Sequence, residues 1–375
     1  MRPSYRLVPV NVPVSAPTGR TARMAAKATR LVTGLARLTV PFALSAPLAV
    51  SMPSATAATI GAASAGAVSA TRTLAGTTTT LGPAFRCASP TSFYTKSSAS
   101  KVDVTVKLGD VTAAFSASPA NLPAAGPSGF RHGVITVAAP GEPARRVPVS
   151  PPWGFSTIRG VVELTPITGG PNGSPFCVAR FGRASPETAV VVGTFSGGAH
   201  CCTWLEALVA LPRAAAGARP IWQDIGNPGV GLRSYAGATL LLTADNSFAY
   251  TFDSYAGSGM PIRILELKGH EFVATTRSYP LFVKADAKFW WQQYEQVSGP
   301  KGSEPRGGLG LLAPWVADEC LLGDSSSAWA TVARLQSQGR LAGGTPGWPR
   351  GAAYVRALRA FLVRQGYCPA STGQA

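Results

Sequence analysis

Acidic residues and histidines are scarce in this chain. Its 375 residues hold 17 Asp and Glu against 34 Lys and Arg, and three histidines, His132, His200 and His270. Any imidazole chemistry is confined to those three. No paired-carboxylate spacing suggests a glycosidase, because Asp318-Glu319 is a helix dipeptide whose side chains diverge. Neither a P-loop nor a G-x-G-x-x-G turn occurs, which removes the two common phosphate-cradling loops. Bases never run five or six together, so the clustered stripe that nucleic-acid binding needs is missing. The longest apolar stretch falls short of the ~20 residues that span a bilayer.

The missing acids are most telling at the amino terminus. Residues 1–57 carry seven bases (Arg2, Arg6, Arg20, Arg23, Lys27, Arg30, Arg37) and no acid. An apolar stretch from Leu38 to Val50 follows, then Ser51-Met52-Pro53-Ser54-Ala55-Thr56-Ala57-Ala58 with small residues at the −3 and −1 positions for cleavage after Ala57. A basic region, a short apolar region and an A-x-A site describe a secretory signal peptide over 1–57. Met24 would give a leader of ordinary length and is an alternative start. No cysteine follows the apolar region and no twin-Arg precedes it, which favours general secretion without a lipid anchor. Removing the seven bases leaves 27 Lys and Arg against 17 Asp and Glu, a net +10. A basic protein outside the cell meets anionic polymers, so an anionic cell-wall polymer or another envelope protein is the expected class of partner. No stable membrane span is expected after cleavage.

Cysteine is present in an even number: Cys87, Cys177, Cys201, Cys202, Cys320 and Cys368. Six cysteines in an exported chain read as disulfides. Cys320 and Cys368 fall on separate predicted helices of one unit and are expected to pair. Adjacent cysteines have Cα atoms about 3.8 Å apart, below the usual disulfide span. A Cys201–Cys202 ring is therefore plausible only in a turn, and the alternative sends both residues to Cys87 and Cys177.

Residues 58–84 are Ala, Thr, Gly and Ser with one charge, Arg72, and read as a flexible linker. Short strands separated by Gly and Pro clusters follow over 85–282: Val102 to Leu108 in alternation, Val134 to Val137, Val161 to Leu164, Cys177 to Phe181, Ala189 to Phe195, Trp204 to Leu211, Thr239 to Leu242, Phe248 to Phe252, Ile262 to Leu267 and Glu271 to Thr275. This spacing describes a mainly β domain of short antiparallel strands, as a sandwich, barrel or propeller-like fold. From 283 to 368 the period becomes helical. Ala287, Trp290, Trp291 and Tyr294 mark one helix, and Leu312, Trp315, Val316, Glu319 and Cys320 a second. Trp329, Val332, Ala333 and Leu335 mark a third, with Ser325 to Ser327 as its cap; Tyr354 to Leu362 form a fourth, ended by Gly366 and Pro369. The tryptophans of this α-helical C-terminal unit read as core. Residues 369–375 are a tail.

The most distinctive motif is Ser196-Gly197-Gly198-Ala199-His200-Cys201-Cys202, set between two apolar runs as a strand, a tight turn and a strand. The bland reading makes Ser196, Gly197, Gly198 and His200 a structural turn in which glycine supplies positive φ. A sharper reading gives His200, Cys201 and Cys202 to copper or zinc, since imidazole and thiolate are soft ligands. Oxidation in an exporting compartment argues against it, so no metal and no cofactor is expected. A third reading makes Ser196 the nucleophile of a secreted serine hydrolase, with Asp253 or Asp318 as the acid and His270 as base, an order that leaves only Asp224, Asp245 or Asp253 between nucleophile and base. Thr194 replaces the first glycine of the G-x-S-x-G elbow, and a strand replaces the helix expected after it. No catalytic residue is assigned.

That motif, together with Ala244-Asp245-Asn246-Ser247-Phe248-Ala249-Tyr250, Phe252 with Tyr255-Ala256, Pro261 to Ile264, Asp286 with Trp290-Trp291, and Trp315-Val316-Ala317-Asp318-Glu319, resembles a family of uncharacterised secreted actinobacterial proteins with FG-GAP or VCBS-like β-repeats. The resemblance covers roughly residues 175–368. It implies acidic calcium loops, yet the matching stretches read Ala179 to Glu187 and Ser234 to Ala238 and lack the carboxylates. The relatives carry the cysteine pair without other cysteines, which implies the vicinal ring. The expected function is an exported, non-catalytic binding or scaffold protein of the cell envelope or extracellular space.

Overall fold

The computed structural model describes residues 71–74, 77–80, 83–94, 101–120, 129–149, 161–168, 173–182, 186–198, 201–210, 220–269, 271–298 and 307–369. The chain divides into two units, 1–56 and 57–375, and every described residue lies in the second. The signal-peptide region and residues 370–375 of the expected tail 369–375 lie outside the described residues. Among the described residues, no helix is long and apolar enough to cross a membrane.

Within the stretch expected as a linker, β1 (Thr71–Leu74) and β2 (Thr77–Thr80) pair antiparallel, Thr71 opposite Thr80. Threonine is β-branched and favours extended backbone, which composition alone did not signal. The main body is a ten-stranded antiparallel sheet ordered β12-β11-β10-β8-β6-β5-β4, with β7 on β6 and β9 bridging β10 to β3. Its strands are β3 (Phe85–Cys87), β4 (Val102–Leu108), β5 (Val111–Pro119), β6 (Gly129–Ala138), β7 (Arg145–Pro148), β8 (Val162–Leu164), β9 (Phe176–Phe181), β10 (Glu187–Gly198), β11 (Cys201–Ala210) and β12 (Ile221–Gly226). A short helix, α1 (Thr91–Tyr94), follows β3. β4, at the far end of the path, returns against β3 and β9, so the sheet nearly closes. A second sheet follows in simple meander order: β13 (Gly231–Tyr235), β14 (Ala238–Ala244), β15 (Ile262–Lys268) and β16 (Glu271–Ala274).

Alternation assigns each strand its faces. Val190 and Val192 of β10 point into the interior of the large sheet with Phe115, Phe130, Phe176 and Ile135. Ala189 and Val191 point the other way, onto Leu241 and Leu265 of the second sheet. The opposite face of that sheet, Leu240, Ile262 and Ile264, packs on Tyr279 and on Val283 of α2. β10 and β14 are thus covered on both sides, and each carries consecutive apolar residues at its centre, Ala189 to Val192 and Leu240 to Leu242. Each side chain buried in these layers contributes roughly 1.5–3 kcal/mol.

Four helices complete the unit: α2 (Pro280–Ser298), α3 (Leu309–Leu322), α4 (Ser325–Ser337) and α5 (Gly351–Arg364). α2 opens with Pro280, whose missing N–H costs nothing in the first turn. α3 is the central helix and is buried nearly all round. It tolerates Pro314 because the carbonyl that proline frees, Gly310 O, accepts a hydrogen bond from Gly259 N at 2.9 Å. Gly310 must be glycine, since a Cβ there would stand 2.3 Å from Gly257 O. α4 has Asp324, not a serine, at its N-cap, and that side chain makes no capping bond.

One expected strand is overturned. Phe248 to Phe252 is a 3-10 turn (Asn246–Phe248) and irregular backbone. The Asp245 Oδ1 accepts from Ser247 N at 2.9 Å, and this local bond competes with a strand ladder. Phe248 and Phe252 are buried as the alternation suggests, but in the helical core, edge-on to Phe361 at 4.8 and 5.3 Å. Trp315 is buried in the same core; Trp290, Trp291 and Trp329 pack on its margin.

Candidate functional site

Gly198 and Cys201 are the last residues paired between β10 and β11, and a bulge between Phe195 and Gly198 shifts the register there. Ser196 Oγ accepts from Cys202 N at 2.6 Å, a bond that closes the turn. His200 and the Cys201 side chain lie outside the described residues, as does His270. Cys202 is disulfide-bonded. Cys87 is joined to Cys177, its cross-strand partner between β3 and β9, so the route from Cys201 and Cys202 to that pair is overturned. Cys320 and Cys368 are joined, fastening α3 to the end of α5. Among the described residues, no cluster of three His, Cys, Asp or Glu side chains is placed to hold a metal.

The described residues of the two stretches where calcium loops were sought belong to the β framework. Ala179 to Phe181 pair with β10, and Ser234 to Ala238 close the β13–β14 hairpin around Ala236 (φ 48°) and Gly237 (φ 82°). A two-residue loop with positive φ at both positions matches the twist of a hairpin and leaves no room for a ligand loop. Of the acids considered for a triad, Asp253 Oδ1 accepts from Ser254 N at 2.7 Å and Thr345 Oγ1 at 2.5 Å. Asp318 is buried in α3.

A well-defined concavity lies elsewhere. It is an open cleft of about 730 Å³ between the end of β12, the turn after β14, strands β15 and β16, and the end of α5. Gly226 (φ 75°) ends β12 directly against Asn246; a Cβ there would lie 2.4 Å from the Asn246 Cγ. This close approach lets Asn246 Oδ1 accept from Asn227 N at 3.1 Å and ties the two sheets at the cleft floor. Asp224 Oδ1 accepts from Gly226 N at 2.8 Å. On the opposite wall, Arg277 Nη2 donates to Gly366 O at 2.8 Å and Tyr367 O at 2.7 Å, bringing the carboxyl end of α5 onto the second sheet. Tyr367 Oη donates to Asp245 Oδ2 at 2.7 Å. Burial first, and then the Asp245 charge, push the Tyr367 hydroxyl far above the ordinary phenol range. It stays a neutral donor at every physiological pH.

Behind this wall lies a buried acid pair. Asp286 of α2 accepts from Ile262 N at 2.7 Å and from the Trp290 indole at 3.0 Å, both on Oδ2. Asp318 of α3 faces it. Burial and then the neighbouring Asp286 charge hold Asp318 well above the usual carboxylate range. Burial also raises Asp286, but its hydrogen bonds from Ile262 N and the Trp290 indole and its interaction with Asp318 oppose the rise. Asp318 is therefore the protonated partner of the pair. A further acid, Glu206 of β11, is fully buried without a hydrogen-bond partner, and burial pushes it up to about 8.

Sequence spacing did not bring Asp224, Asp245, Arg263, Arg277 and Tyr367 together, because each comes from a different element. For the buried pair behind the cleft the available signal was an acid on the apolar face of α3: Asp318 follows the run from Leu309 to Ala317.

Comparison with known proteins gives partial matches. The family described as "sll0997 C-terminal domain" matches residues 283–366, the helical unit. A probable thylakoid lumen protein of Synechocystis sp. is 27% identical over 212 residues, covering 50% of this chain and 59% of that protein. An uncharacterized protein of Sinorhizobium fredii is 26% identical over 205 residues, covering 49% of this chain and 31% of that protein. The chain thus spans well under two thirds of either relative. No solved structure matches it.

Proposed function

We propose that this chain is an exported, non-catalytic binding protein of the extracytoplasmic space, and that its ligand sits in the cleft at the carboxyl end of α5. The observation that carries the reading is the convergence of polar side chains from five separate elements on one concave surface braced by Arg277, Tyr367 and Asn246. Pockets of this size suit small molecules. Export is supported by the signal-peptide pattern, by disulfides in a chain large enough to fold without them, and by similarity to a probable thylakoid lumen protein. Against a hydrolase stands the Ser196 hydroxyl, engaged as acceptor of the Cys202 N–H within its own turn.

The test has two arms. Producing cells are fractionated and the recovered chain is sequenced from its amino terminus, then exposed to a fluorophosphonate. The expected result is a chain outside the cytoplasm starting near Ala58, unlabelled at Ser196. A cytoplasmic chain with residues 1–40 intact, or labelling at Ser196, would overturn the reading.

A further inference from the structure

Three cations line the cleft, Arg263, Lys268 and Arg277, against two carboxylates, Asp224 and Asp245. The carboxylates are largely spent on the fold. Both Asp245 oxygens accept hydrogen bonds, from Tyr367 Oη and Ser247 N, and Asp224 Oδ1 caps the end of β12. The cations are not. Arg277 uses Nη2 alone in its bonds to Gly366 and Tyr367. Arg263 makes neither an ion pair nor a hydrogen bond among the described residues, although its charge is felt at the Tyr367 hydroxyl. Lys268 stands 3.6 Å from Glu266 with its side chain 57% exposed, a contact too solvated to hold it.

Two hydroxyls in the same lining, Ser247 Oγ and Thr275 Oγ1, are buried without a partner. Buried hydroxyls ordinarily find one. A guanidinium with neither ion pair nor hydrogen bond, in a lining whose carboxylates are already engaged, leaves the cleft short of acceptors. A planar oxyanion supplies them, and arginine binds such groups in a two-pronged geometry.

We propose that the cleft binds the oxyanion of a small polar ligand, a carboxylate or a phosphate, with Arg263 as its chief counter-charge and Lys268 and the free edge of Arg277 beside it. This rests on the reading of the chain as a binding protein and names the chemical class of its ligand.

The purified chain is titrated calorimetrically at low ionic strength with citrate, inorganic phosphate and glucose, the last as a neutral control. Citrate tests the carboxylate source and phosphate the other. One of the two is expected to bind with 1:1 stoichiometry and glucose not at all. Arg263→Gln should weaken that binding at least tenfold. Lys268→Gln, at an exposed side chain that does not threaten folding, should weaken it about threefold. Arg356→Gln, at an exposed arginine of α5 outside the cleft, should leave it unchanged. Equal weakening by Arg356→Gln, or no saturable binding of either anion, would overturn the proposal. Saturable glucose binding would overturn the anion assignment while leaving the binding reading intact. Turnover of a titrant would overturn the binding reading itself.

Discussion

Asp318 on α3 is buried against Asp286 on α2, and both Asp318 carboxyl oxygens lie out of water without a partner, so burial and the neighbouring charge hold Asp318 in its protonated form. Asp286 takes the Ile262 N–H, which pins the first residue of β15 to the helices. The pair couples the second sheet to the helical core, and its proton has a stability consequence. A carboxyl raised in the folded state binds a proton that the unfolded chain releases. Its stabilisation is complete below the unfolded value near 3.8 and is lost as pH rises through the folded value. The urea midpoint should therefore fall from pH 5 towards pH 8. Asp318→Asn, which keeps a donor facing Asp286, should flatten that slope. A midpoint that rises over this range, or an unchanged slope in the variant, would refute the assignment.

Glu206 adds a second contribution of the same sign within the large sheet. Its unfolded value is 4.5 and its folded value about 8, so stability drains away between those limits. The whole effect is of the order of 4–5 kcal/mol at and above pH 8. Glu206→Gln should remove it and leave the Asp318 effect standing, and the two should add because no hydrogen bond links them. Denaturation of the single and double variants at pH 5 and pH 8 separates the two.

Tyr367→Phe removes the donor to Asp245 Oδ2 while keeping the ring edge-on to Phe248 at 5.4 Å. The loss should cost about 1–3 kcal/mol, the penalty for leaving a partly buried carboxylate oxygen unpaired. Urea titration gives the figure; a change below ~0.5 kcal/mol would show that this bond does not hold the cleft wall.

The mainly β body and the helical carboxyl-terminal unit were legible because their periods differ. Val102 to Leu108 alternate, and Trp290, Trp291 and Tyr294 repeat at helical spacing. β5, β7, β12 and β13 were missed: Val111 to Pro119 is rich in Ala and Ser, Arg145 to Pro148 is short and charged, Ile221 to Gly226 mixes Gln and Asp among apolar residues, and Gly231 to Tyr235 is short and polar. Phe248 to Phe252 misled because a turn and a strand can bury the same alternate residues. The cleft was illegible because its parts meet only through sheet–sheet and sheet–helix packing. Asp245, Asp286 and Asp318 did stand within the segments that carry the β-repeat resemblance, yet nothing in their spacing showed that the last two touch.

The Cys320–Cys368 bridge closes a loop with a sequence separation of 48. On the chain-entropy account it contributes about 4 kcal/mol. The double alanine variant should melt well below the parent, and a non-reduced digest should yield the linked peptides. Free alkylation of both thiols without reductant would contradict the bridge.

The most direct test of the account is equilibrium dialysis of the purified chain against an extract of its own cell envelope, read by mass spectrometry. It is run beside Ala274→Trp, which fills the cleft from an exposed position on β16. The account predicts a small molecule concentrated by the parent, recovered with its mass unchanged, and lost by the variant. Equal retention by both proteins, no enrichment by either, or recovery of the compound as a product would contradict it.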